Sequence, residues 1–97
     1  MASYRLSELA AEDLEQIYLW GLEAFGPQQA SSYAERLALR LDEIAQAPER
    51  WPQADWLLEG CRRSVVGRHT IYYELDTQGV LVLRVLSRQD HPSALGE

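Results

Sequence analysis

The sequence predicts an α+β fold in the order β-α-α-β-β-β, with a helical hairpin packed on an antiparallel sheet. Two apolar stripes of helical period, separated by Gly26-Pro27, occupy residues 8–47. Three β-rich segments joined by short turn signals occupy residues 61–86. The chain has 97 residues, enough to bury one core of this kind and no second, so 1–97 reads as a single domain.

The elements follow in order. Residues 1–7 hold a short strand, since Ser3-Tyr4-Arg5-Leu6 alternates polar and apolar. Ser7 is placed to cap a helix, with Glu8 favoured in the first turn by the helix dipole. From Glu8 to about Ala24, residues Ala10, Leu14, Ile17, Tyr18, Gly21 and Phe25 recur at steps of three and four. Pro27 suits the first position of a second helix, whose stripe runs through Ala30, Tyr33, Ala34, Leu37, Leu41, Ile44 and Ala45. It ends near Ala47, because Pro48 disfavours a helical residue before it. Residues 8–47 thus form the hairpin.

Residues 48–60 form a loop whose Trp51 and Trp56 require it to fold back on something apolar. Residues 61–86 form a β-meander. Cys61–Val66 is followed by the turn Gly67-Arg68, and His69–Leu75 by the hairpin loop Asp76-Thr77-Gln78-Gly79. Val80–Leu86 is apolar except for Arg84, as expected of a strand covered on both faces. The first strand joins the sheet at its edge or pairs with a central strand. Tyr72 and Tyr73 face opposite sides, which puts one in the core and the other at the surface or an interface. Residues 87–97 are a polar tail.

Charge bounds the function. The nine basic residues are all Arg, against fifteen acids, for a net charge of −6. Residues 1–60 hold four Arg and eleven acids; residues 61–97 hold five Arg and four acids. Overall acidity argues against direct DNA binding, which is driven by cation–phosphate contacts. The single Cys61 excludes an internal disulfide and a Cys-based zinc site. His69 and His91 alone cannot close a metal site, so no metal and no cofactor is expected. There is no apolar run of membrane-spanning length and no apolar segment of a secretion signal near Met1. The expectation is a soluble, cytoplasmic chain with no membrane partner.

No glycine-rich phosphate loop, His-Glu-x-x-His motif or nucleophile elbow is present, so no catalytic residue is assigned and the chain is not expected to be an enzyme. The pairs Glu12-Asp13 and Asp42-Glu43 read as solvated helix faces. His69 reads as a side chain bonding turn carbonyls, and Cys61 as a small buried apolar residue. Arg62, Arg63, Arg68, Arg84 and Arg88 fall in the acid-poor part; they either pair with helix acids or form a functional patch. Arg84, on an apolar strand, needs a carboxylate or a solvent-facing side, and a bound acidic peptide could supply the carboxylate. Leu19, Trp20 and Leu39 lie off the helical stripes and, with the loop tryptophans, leave apolar surface for a partner.

Tyr4-Arg5-Leu6-Ser7 precedes an acidic first helix ending at Phe25-Gly26-Pro27. Gly60-Cys61-Arg62-Arg63 is followed by Val66-Gly67-Arg68-His69-Thr70-Ile71-Tyr72-Tyr73 and by Val82-Leu83-Arg84-Val85-Leu86. In this order and spacing the patterns resemble ParE-type toxins of type II toxin–antitoxin modules, and the resemblance spans residues 4 to about 92. It departs at Ser87, where the family commonly carries a histidine, and in the short tail. It implies the RelE/ParE fold, poisoning of DNA gyrase through protein contact, and neutralisation by a ParD-like antitoxin in a hetero-oligomer. The antitoxin's flexible segment would meet Leu19, Trp20, Leu39, Arg62, Arg63 and Arg84, and the target would meet Arg84, Arg88 and His91. The alternative is a RelE-like ribosome-dependent mRNA endonuclease built on Arg62, Arg63, Arg88 and His91, or an inactive relative that only binds antitoxin. The acidic, lysine-free composition favours protein contact over RNA cleavage, which needs several cations for the phosphates.

Overall fold

A computed structural model describes residues 3–87. Strand β1 (Tyr4–Leu6) leads into helices α1 (Glu8–Phe25) and α2 (Pro27–Gln46), then a 3-10 turn at Pro48–Arg50. Strands β2 (Arg62–Val66), β3 (His69–Asp76) and β4 (Gly79–Ser87) follow. The fold is the α+β arrangement expected, a helical hairpin on one sheet. The sheet order is β1-β4-β3-β2. The meander β2-β3-β4 is antiparallel, whereas β1 runs parallel to β4 in the register Tyr4↔Val80 to Leu6↔Val82, so the whole sheet is mixed. The parallel pairing makes β4 an interior strand, which explains its apolar sequence.

Local chemistry sets the helix boundaries. Ser7 is extended, and its Oγ accepts the Ala10 N–H at 2.9 Å while donating to the Leu83 carbonyl at 2.8 Å. The Ser7 N–H also donates to the Val82 carbonyl. One residue therefore caps α1 and closes the side of β4 beyond the end of β1. Gly26, at φ 92°, lets the chain turn from α1 directly into α2. The helices approach closely at Gly21, where an added Cβ would stand 3.3 Å from the Ala30 Cβ.

The main core joins Leu37, Leu41 and Ile44 of α2 with Ile71, Tyr73, Val80, Val82 and Val85 of the sheet. The opposite sheet face is covered by the 51–61 loop, which brings Ala54, Cys61 and Leu57 against Tyr72 and Leu86. Both Tyr72 and Tyr73 are consequently fully buried. The expectation that one would be exposed fails because the loop acts as a third layer over the sheet. Trp51 packs beside the main core, with the Arg40 and Arg50 guanidinium groups 4.7 and 5.2 Å from its ring centroid. Trp56 makes an edge contact with Tyr72 but stays half exposed.

The outer side of β2 is also closed by the chain. Arg40 donates to the Val65 carbonyl at 2.9 Å and to Ser64 Oγ at 2.7 Å, and the Arg63 N–H reaches the Pro52 carbonyl at 3.0 Å.

Candidate functional site: two joined grooves along the first helix

Helix α1 is only partly covered. Of its stripe, Ala10 and Gly21 are buried, Leu14 and Ile17 are half-buried, and Tyr18 and Phe25 are exposed. The sequence explains this imbalance. The buried positions of α1 are small residues, which bring the helices together but leave the larger side chains without a layer above them.

The result is a cavity of about 540 Å³ between α1, α2 and the β2–β3 turn. Leu14, Ile17, Ala34, Leu37 and Leu41 contribute apolar surface, and Trp20 and Phe25 stand at the α1 side in an edge-to-face pair 5.3 Å apart. No carboxylate lines this groove among the described residues, whereas Arg36 and Arg68 do. A second, more polar groove of about 750 Å³ continues from it past Ile17, Trp20, Arg68 and His69 to Asp13, Arg84 and Ser87.

Tyr33 joins the walls. Its hydroxyl donates to the Val66 carbonyl at 2.9 Å, accepts the Arg68 N–H at 3.2 Å, and lies 2.7 Å from His69 Nδ1. With the hydroxyl proton on Val66, the His69 Nδ1 is the donor in that contact. Burial raises the Tyr33 hydroxyl pKa, and the Arg68 amide and the charges of Arg36 and Arg68 oppose the rise. Gly67, at φ 55°, lies under the ring, where an added Cβ would be 2.9 Å from it. The Tyr33 hydroxyl that His69 Nδ1 meets is itself bonded to the Val66 carbonyl of that turn. Tyr33 was not singled out from sequence, because it sits within the α2 stripe and reads there as core.

The arginines divide sharply. Arg84 Nε and NH2 donate to the Asp13 carboxylate at 2.8 and 3.0 Å, and Asp13 also accepts the Val85 N–H at 2.9 Å. Asp13 is therefore no solvated-face residue, as its place beside Glu12 suggested. It is the carboxylate that Arg84 required, and it raises the Arg84 pKa. Arg62 donates to the carbonyls of Glu49 and Trp51 at 3.2 and 2.6 Å, holding the loop. Arg63 is half-buried on β2 and lies on neither groove wall. Leu19, Trp20 and Leu39 are exposed, at 48, 48 and 61%. Of these, Trp20 lines both grooves, while Leu19 and Leu39 line neither. Arg88 and His91 lie outside the described residues.

Among the described residues, no group of His, Cys, Asp and Glu is arranged to hold a metal ion, and no helix is long and apolar enough to cross a membrane.

Residues 4–92 match the sequence profile of the ParE toxin of the type II toxin–antitoxin system parDE. Toxin ParE1 of Caulobacter vibrioides is 34% identical over 86 residues, covering 89% of this chain and 88% of that protein. Toxin ParE1 of Mycobacterium tuberculosis is 31% identical over 87 residues, covering 89% of each. The fold is similar to a chain of the chromosomal ParDE system from P. aeruginosa, with a TM-score of 0.78 at 18% identity over 90% of this chain and 96% of that one. It is also similar to a chain of the toxin–antitoxin complex RelBE2 from M. tuberculosis, with a TM-score of 0.66 at 19% identity over 90 and 98%.

Proposed function

The chain belongs to the ParE toxin family of type II toxin–antitoxin systems, and from that premise we propose that it acts by protein contact on DNA gyrase and is neutralised by a ParD-like antitoxin seated along α1. One observation carries the antitoxin reading: an apolar groove of about 540 Å³, with no carboxylate among its described lining residues, runs beside a helix whose own large side chains are left uncovered. An amphipathic segment that folds on binding would bury this surface, as coupled folding does elsewhere. Support for protein contact over RNA cleavage comes from the arginines. Arg62 and Arg84 are engaged by the chain's own carbonyls and carboxylate, and so are poorly disposed to hold phosphates. On this reading the chain is no enzyme and works in the cytoplasm.

Controlled expression tests the proposal. Induction should produce filamentation and DNA breaks, and the purified chain should trap cleaved DNA on gyrase. Co-expression of the antitoxin from the adjacent reading frame should restore growth. Intact DNA together with cleaved messages would replace the gyrase reading with the RNA-cleaving one. Normal growth at high expression would leave only antitoxin binding.

A further inference from the structure

We infer that Arg36 and Arg68 read carboxylates on the partner segment that fills the apolar groove, and that Tyr33 positions both. The inference rests on the groove being the antitoxin's seat. It shifts charge recognition away from Arg62, Arg63 and Arg84, where the sequence pointed.

Bonding and position together select them, Arg63 being set apart by its place on β2 away from the groove wall. Arg5 is paired with Asp76, Arg40 with Glu43 and Arg84 with Asp13; Arg62 bonds loop carbonyls, and Arg50 lies over Trp51. Arg36 and Arg68 are exposed, and neither guanidinium has an acid partner among the described residues. Both line the groove, and among the described residues no acid lines it with them. An apolar floor flanked by two unneutralised cations is complementary to an amphipathic helix with carboxylates along one flank. Covering the groove would remove water from the forks and strengthen each charge-assisted bond, while a basic segment would meet two like charges in the same dry place.

Tyr33 fixes where the two cations stand. The Arg36 guanidinium lies 5.5 Å from the Tyr33 ring centroid, and the Arg68 backbone N–H bonds the Tyr33 hydroxyl. One aromatic side chain thus holds a helix cation at its ring and a turn cation at its tip. The Val66 carbonyl and His69 keep that tip from swinging.

Calorimetric titration of the intact chain with the antitoxin of the adjacent reading frame tests this. Arg36→Gln and Arg68→Gln should each weaken binding about tenfold and flatten its salt dependence. Arg63→Gln should leave both unchanged. Tyr33→Phe should lose about as much as Arg68→Gln, and the double variant should lose little more, since both remove one placement. Affinities equal to wild type for both Gln variants would overturn the inference while leaving the antitoxin reading intact. A wild-type chain that fails to bind would bring down both. A fall in the melting temperature of the free Gln variants with unchanged affinity would also overturn it, by assigning the two cations to an acceptor within the chain.

Discussion

Asp13 binds Arg84 through two hydrogen bonds and, with the same carboxylate, accepts the backbone N–H of Val85. One acid of α1 therefore satisfies both a strand cation and an otherwise unpaired amide of β4. Asp13→Ala removes three acceptor contacts and should destabilise the chain by about 2–4 kcal/mol. Arg84→Ala leaves Asp13 bonded to Val85 and partly solvated, so it should cost less. Urea unfolding of both variants checks the order, and a larger loss for Arg84→Ala would contradict it.

Ser7 has a comparable double role. Ser7→Ala gives up the cap on Ala10 and the bond to the Leu83 carbonyl, for an expected loss of about 2 kcal/mol, whereas Ser7→Thr retains both groups and should recover most of it. Thermal unfolding, with amide exchange at Ala10, reads both effects. Unchanged exchange at Ala10 in the Ala variant would show that the cap is not holding the first turn.

Gly67 and Gly60 both have positive φ, at 55° and 84°, yet they should respond differently to Ala. Each substitution carries backbone strain of about 1–2 kcal/mol. At Gly60 nothing lies within 4 Å of the new methyl; at Gly67 it meets the Tyr33 ring, which can retreat only by breaking the bonds its hydroxyl makes. Gly67→Ala should therefore destabilise clearly more, and equal midpoints in urea would argue against a rigid Tyr33.

Alkali should unfold the chain. Burial pushes the Tyr73 hydroxyl up to about 12 from 10.0, and the Cys61 thiol up to about 11 from 9.0. In both cases the folded state holds its proton longer than the unfolded chain does. Their contribution is complete below pH 9 and is lost as pH rises through about 11 and then 12. Urea midpoints should fall between pH 8.5 and 11.5, and Tyr73→Phe should flatten the upper part of that fall. The same burial should keep Cys61 unreactive to thiol reagents until the chain unfolds. A midpoint independent of pH across this range would refute the account.

Much of the fold is legible because local signals agree with it. Ser7 caps a helix, Gly26-Pro27 divides the hairpin, and Gly67 turns the meander. The parallel pairing of β1 is not legible, because three residues carry too little pattern to choose a partner strand. The burial of both Tyr72 and Tyr73 was hidden because a loop's service as a covering layer leaves no periodic trace. The need of Arg84 for a carboxylate could be read, but the acceptor, Asp13, lies 71 positions away on a helix face that reads as solvated. Arg36, flanked by Glu35 in a polar stretch of α2, carries no sequence signal of the groove it borders.

The closed sheet margins have one further consequence. Ser7 and Asp13 occupy β4 past the end of β1, Arg40 and Pro52 bond parts of β2, and β1 itself exposes only three residues of border. Among the described residues such margins offer little template for strand-on-strand stacking between copies, the route by which exposed strand borders seed cross-β assemblies.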